Sequence, residues 1–236
     1  MSESFGLVED KVLETDFFLD SIRNAGYASF ESSYFFSAFV SASRSVTFAL
    51  QACMSGVKGF DEWYESSRES LKVDPLAPYF IEIRNDVVHK GKNPYNKVTL
   101  EHLREVLFRQ FNSDSHTHWL VFPKINNQTQ PALVDAMAAC EAYFTSLLSI
   151  IYGCYSEFRM VVDPRWYFTE ENFNKMGKTL GDGLVELGFP PSWFSHCIPE
   201  SEAWKVLRSQ QPLCPLNPIF EKYLGKVISD PDGEVS

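Results

Sequence analysis

Basic residues are scarce in this chain of 236 residues: 21 Lys and Arg stand against 31 Asp and Glu, a formal net charge of −10. That balance excludes a protein that coats nucleic acid through a general basic face, though not one with a small local basic site. Cysteines are few and scattered. There are five (Cys53, Cys140, Cys154, Cys197 and Cys214), and the first three fall on apolar helical faces. Reduced thiols in a cytoplasmic protein are the simplest expectation. No stretch of about 18 residues is free of charge. The most apolar, Ala132 to Tyr155, carries Asp135 and Glu141 and reads as a buried helix rather than a membrane span. The opening MSESFGLVED lacks the positive start and apolar run of a signal peptide. Neither a GxxxxGK phosphate loop nor GxGxxG occurs, and the sequence has no internal repeat or low-complexity tract.

What is present suits a buried core. The chain is 44% hydrophobic, with 20 Phe, 10 Tyr and 5 Trp, and its length fits one domain or a domain with a substantial appendage. Apolar residues recur at helical spacing almost throughout. Val12, Phe17, Leu19 and Ile22 predict a helix over 8–22, ended by Asn24-Ala25-Gly26. Phe35, Phe39, Ala42, Val46, Ala49 and Cys53 predict a long one over 29–54. Its other faces are rich in serine (32, 33, 37, 41, 43, 45), with Arg44 the conspicuous charge. A shorter helix is expected over 60–71. The next starts near Pro75 or Pro78 and ends at Gly91, with Leu76, Tyr79, Phe80, Ile83 and Val87 as its pattern.

Thr99 can cap a further helix through Phe111. A polar, turn-rich stretch follows, broken by one apolar segment that reads as a short strand near 118–123. The last large helix is expected over 131–158. Beyond Asp163-Pro164 prolines become frequent and helices short. One is expected over 169–187, interrupted by Gly181-Asp182-Gly183, and another over 200–209. The predicted fold is therefore all-α: a helical bundle over 1–158, a C-terminal helical extension packed on it over 159–229, and a disordered acidic tail over 230–236.

Chemistry concentrates at Arg84-Asn85-Asp86-Val87-Val88-His89, followed by Lys90-Gly91. Arginine offers a planar fork of donors matched to phosphate oxygens. Histidine is the side chain that ordinarily exchanges protons near neutrality. On a helix Asn85 and His89 lie one turn apart, and Asp86 can also approach His89. Arg84 sits about 140° round from His89 and must curl to reach it. The bland alternative is a helix end: His89 and Lys90 complement the dipole while Arg84 pairs with Glu82 or Asp86. Lys90, Lys92, Lys97 and Arg104 read either as a local basic patch or as solvated surface.

The piece Phe80-Ile81-Glu82-Ile83-Arg84-Asn85-Asp86-Val87-Val88-His89-Lys90-Gly91 resembles the signature of the HEPN superfamily, an arginine followed by a polar residue and a histidine after four intervening positions. The long serine- and aromatic-rich helix before it and the apolar helix after it resemble the HEPN bundle, so the likeness covers about 27–158. It implies a metal-independent endoribonuclease, a homodimer with two motifs facing across a cleft, and a toxin or stress and phage-defence setting with a separate antitoxin or regulatory protein. Arg84 and His89 are then catalytic and Asn85 supportive, with Lys90, Lys92 and Asp86 contacting the RNA substrate. No cofactor, metal or membrane is implied. Other members of the superfamily are non-catalytic, which leaves a dimeric interaction module or a nucleotide-binding module as the alternative class.

Two other constellations carry less. His116-Thr117-His118 would point both imidazoles one way on a strand, but only Asp114 joins them, short of the three or four ligands a fixed metal needs. His196 and Cys197 are adjacent and so point apart.

Overall fold

The computed structural model describes residues 5–25, 30–73, 76–91, 119–122, 132–194 and 198–233. The protein is all-α, with one two-stranded ribbon among the described residues. It divides into two compact units, Met1–Leu147 and Leu148–Ser236.

In the first unit α1 (Gly6–Asn24) packs along α2 (Phe30–Met54), and α2 in turn meets α4 (Leu76–Lys90). The core face of α1 is Val8, Val12, Thr15, Leu19 and Ile22, spaced four and three apart. Phe17, expected in that core, falls on the opposite side of the helical wheel from Leu19 and is 63% exposed. In α2 the face includes Phe39, Val46 and Cys53 as expected, but Phe36 rather than Phe35 fills its first turns. A core-facing stripe is wider than a strict coiled-coil seam, and its centre here lies one residue further round. Phe60 and Tyr64 of α3 (Phe60–Val73) stack with centroids 5.4 Å apart. The Tyr64 hydroxyl accepts from Gln51 Nε2 at 2.7 Å, which joins α3 to the end of α2.

The segment expected to open the last large helix is instead a strand. β1 (Trp119–Phe122) and β2 (Ala132–Asp135) pair antiparallel, with Trp119 opposite Asp135 and Phe122 opposite Ala132. α5 (Ala136–Glu157) begins only after β2. A segment as short as Ala-Leu-Val-Asp fits either period, and ladder hydrogen bonds with β1 decide the matter. α5 has the length and apolar composition to cross a membrane, yet half of its most apolar stretch is buried inside the protein. Arg23 Nη2 donates to Glu141 Oε1 at 2.5 Å, linking α1 to α5. The helix expected over 99–111 and the His116–His118 pair lie outside the described residues.

Among its described residues the second unit holds the rest of α5 and six short helices: α6 (Arg159–Val162), α7 (Pro164–Tyr167), α8 (Glu170–Lys175), α9 (Leu180–Glu186), α10 (Glu200–Ser209) and α11 (Asn217–Leu224). Phe168, Phe173, Leu184, Trp204 and Leu207 form one core cluster. Where one interrupted helix was expected over 169–187, the break falls at Gly177, whose φ is +68°, and not at Gly181–Gly183. Gly183 lies inside α9 for a packing reason: a Cβ there would sit 3.2 Å from the Phe173 ring and 3.5 Å from the Trp204 ring. Thr179 caps α9 in a reciprocal box with Asp182. Thr179→Ala should therefore lower stability by about 1 kcal/mol, read from denaturant unfolding of the whole chain.

Residues 230–233, assigned by composition to a disordered tail, are instead held in place. Asp230 is buried and pairs with Arg165, while Asp232 accepts from Arg208 Nε at 2.9 Å and Nη2 at 2.5 Å. An acidic run is solvated only when no cation waits for it, and here the cations come from α7 and α10. Arg208 holds the Asp232 carboxyl below its ordinary 3.8. A depressed carboxyl contributes stability above its unfolded value and loses it as pH falls through the folded one. The stability difference between wild type and Asp232→Asn should thus be largest above pH 3.8 and vanish on acidification, measured by denaturant unfolding across pH.

Candidate active site

Burial sets the orientation of α4. Ala77, Tyr79, Phe80 and Ile83 are buried. The Phe80 ring lies parallel to that of Tyr143 at 4.4 Å, with Phe39 at 6.1 Å and Phe36 at 6.5 Å. Burial also pushes the Tyr79 phenol well above its ordinary value, helped by Cys140 and Glu82, so it stays protonated at neutral pH. With that face fixed inward, Asn85, His89 and Lys90 are exposed and Arg84 and Asp86 half-buried. Gly91 ends the helix with φ +62°, the left-handed stop the sequence predicts.

Arg84 does curl. Its Nη1 lies 3.3 Å from His89 Nε2 and donates to Asn85 Oδ1, also at 3.3 Å. A guanidinium can only donate, so this contact with His89 is a hydrogen bond when Nε2 accepts and the ring proton sits on Nδ1. Asn85 thus holds one edge of the arginine fork while the imidazole meets the same nitrogen. Among the described residues the hydrogen bonds of Arg84 go to Asn85 and His89, not to Glu82 or Asp86. Asp86 takes Lys90 instead, at 2.6 Å, and that bond raises the Lys90 pKa above its ordinary value.

Arg84, Asn85 and His89 therefore come together as one group, and Asp86 and Lys90 form a separate pair beside it. Lys92, Lys97 and Arg104 lie outside the described residues. An arginine fork next to an imidazole can hold a phosphate oxygen while a nearby hydroxyl gives up its proton. Ile81 and Val88, missed as surface residues by sequence reasoning, are 39% and 49% exposed. They flank Asn85 at spacings of four and three, and that spacing was the available signal.

Residues 26–104 match a family model described as bacteriophage lambda protein ea47. The ea47 match spans about a third of the chain and takes in α2, α3 and α4, and with them Arg84 and His89. It stops before the ribbon, α5 and the whole second unit. Nothing matches among curated proteins or among solved structures. Among the described residues no group of three or more His, Cys, Asp or Glu is gathered in a way that could hold a metal ion.

Proposed function

We propose that this chain is a metal-independent endoribonuclease of HEPN type, cytoplasmic, acting as a homodimer in a toxin or phage-related setting under the control of a separate protein. The observation that carries the proposal is the 3.3 Å approach of Arg84 Nη1 to His89 Nε2 on an exposed helix face. A phosphate oxygen bound by Arg84 draws the guanidinium away and frees Nε2 as a base. The ribose 2′-hydroxyl then gives its proton to Nε2 and its oxygen bonds to phosphorus. The 5′-oxygen leaves and takes up a proton from water, giving a 2′,3′-cyclic phosphate and a 5′-hydroxyl. Arg84 stabilises the charge on the non-bridging oxygens, and Asn85 keeps the fork in line. Residues 26–104, which carry the motif, are similar to the bacteriophage lambda ea47 family, and this likeness supports the phage-related setting alone.

A second reading, a non-catalytic interaction module, draws on the exposed Ile81 and Val88 beside the motif. Cleavage of an RNA panel by wild type and His89→Ala, side by side in EDTA, separates the two. Chelator-resistant cleavage lost in the variant supports the ribonuclease. Equal silence from two well-folded proteins supports the module.

A further inference from the structure

We propose that Ile81, Val88 and the Asn85 amide form a seat for one nucleobase beside the phosphate held by Arg84. The seat selects a keto base, uracil or guanine, over an amino base, cytosine or adenine. The inference rests on the ribonuclease reading and adds to it which bases the site accepts.

Helical geometry places these residues. At about 100° per residue, Ile81 lies about 40° and Val88 about 60° round from Asn85, both on the side of Arg84. Ile81 is one turn before Asn85, and Val88 nearly one turn after it. The arc from Arg84 to Asn85 therefore carries these two aliphatic side chains, and both are exposed. Arg84 spans that arc, since its Nη1 reaches Asn85 Oδ1 at 3.3 Å. A base whose phosphate is bound by the guanidinium meets apolar groups about 10 Å apart along the axis, with polar atoms between them. Aliphatic residues set within one turn of a phosphate-binding fork differ from a scatter of single surface residues, because one ligand reaches both. Ile81 and Val88 hold the base without reading it, as every base has an apolar face.

The polarity of the centre sets the choice. A guanidinium only donates, so the Asn85 oxygen faces Arg84 and Nδ2 is the amide atom left to a ligand. Arg84 itself adds nothing but donors. The acceptors of this surface lie on the other side of Asn85: His89 Nε2, the Glu82 carboxylate, and the Asp86 carboxylate, which takes Lys90. A base edge entering the arc from Arg84 to Asn85 thus meets N–H groups. The O4 of uracil or the O6 of guanine accepts from them, whereas the N4 of cytosine or the N6 of adenine sets donor against donor.

Short 2′-O-methyl RNAs of equal length test this, one carrying uracil and the other cytosine at every position. They present the base and the phosphate but have no 2′-hydroxyl to attack, so binding is read without cleavage. By fluorescence anisotropy, wild type should bind the uracil RNA about tenfold more tightly. Asn85→Asp turns an acceptor outward, and the ratio of the two affinities should fall to unity or invert, whatever happens to each. Ile81→Ser with Val88→Ser should weaken both RNAs by about tenfold while circular dichroism and melting stay those of wild type. Equal affinity of wild type for the two RNAs, or binding of neither, would overturn the seat. So would a ratio unchanged in Asn85→Asp. Unchanged binding by the double serine variant would also overturn it, and would assign Ile81 and Val88 to a protein partner. Unmethylated RNA tells this failure from that of the ribonuclease reading. Base preference without cleavage counts against the ribonuclease alone, and cleavage of uracil and cytosine RNAs at equal rates counts against the seat alone.

Discussion

Alanine in place of Arg84 should lower kcat/KM for RNA cleavage by about 10²–10³-fold, and lysine there should recover little of the loss. Arg84 has two tasks that an ammonium performs poorly. Its fork must hold phosphate oxygens in a plane, and before substrate binds one of its nitrogens must rest against both Asn85 Oδ1 and His89 Nε2. His89→Ala should cost about 10²–10⁴-fold, the range for loss of a general acid or base. Because the two groups are 3.3 Å apart, the double variant should be scarcely slower than the worse single one. Additive losses would mean that they act independently. The side chains face outward from α4, so circular dichroism and melting should be unchanged in all four variants. Full activity of Arg84→Lys would contradict the fork.

Asp230→Ala should destabilise the second unit by about 3–5 kcal/mol, the loss expected when one partner of a buried ion pair is removed. The Asp230 side chain is 1% exposed and that of Arg165 14%, so truncation leaves a largely covered guanidinium without its carboxylate. The same strap is tied elsewhere. Trp166 Nε1 donates to Ser229 O at 2.9 Å, and Asn217 both donates to Ile228 O and accepts from Ile228 N. These bonds keep the chain in place and deny Arg165 an easy escape to water. Denaturant unfolding of the full chain, followed by Trp fluorescence, gives the number. A change below 1 kcal/mol, typical of exposed pairs, would mean that the strap is not buried in solution.

The existence of most helices was legible because helical periodicity is local: α1, α2, α4 and α10 lie where their apolar spacing and stop signals place them. Which residue leads the core face was less so. Phe17 and Phe35 have hydrophobicity enough for the interior, but the turn of the helix relative to its neighbours is set by packing, which periodicity does not contain. The strand at Ala132–Asp135 depended on a partner across the ribbon, and the helical glycine at 183 on two rings that reach it from other helices. Asp230 and Asp232 were invisible for the same reason, since Arg165 and Arg208 are distant in sequence.

At the candidate site the residue types and their spacing were readable, and so was the need for Arg84 to curl. Its nearness to His89 required a rotamer that only surrounding contacts select. The pairing of Asp86 with Lys90 rather than with His89 is a choice between two neighbours at permitted helical spacings, where the ammonium wins by charge.

The most direct measurement follows the ends left by cleavage. Purified wild type and His89→Ala are incubated with a defined RNA in EDTA, and the products are analysed by mass. Attack by the 2′-oxygen predicts 2′,3′-cyclic phosphate and 5′-hydroxyl ends from wild type and intact RNA from His89→Ala. Ends carrying 3′-hydroxyl and 5′-phosphate, or cleavage undiminished in His89→Ala, would contradict a site built on Arg84 and His89.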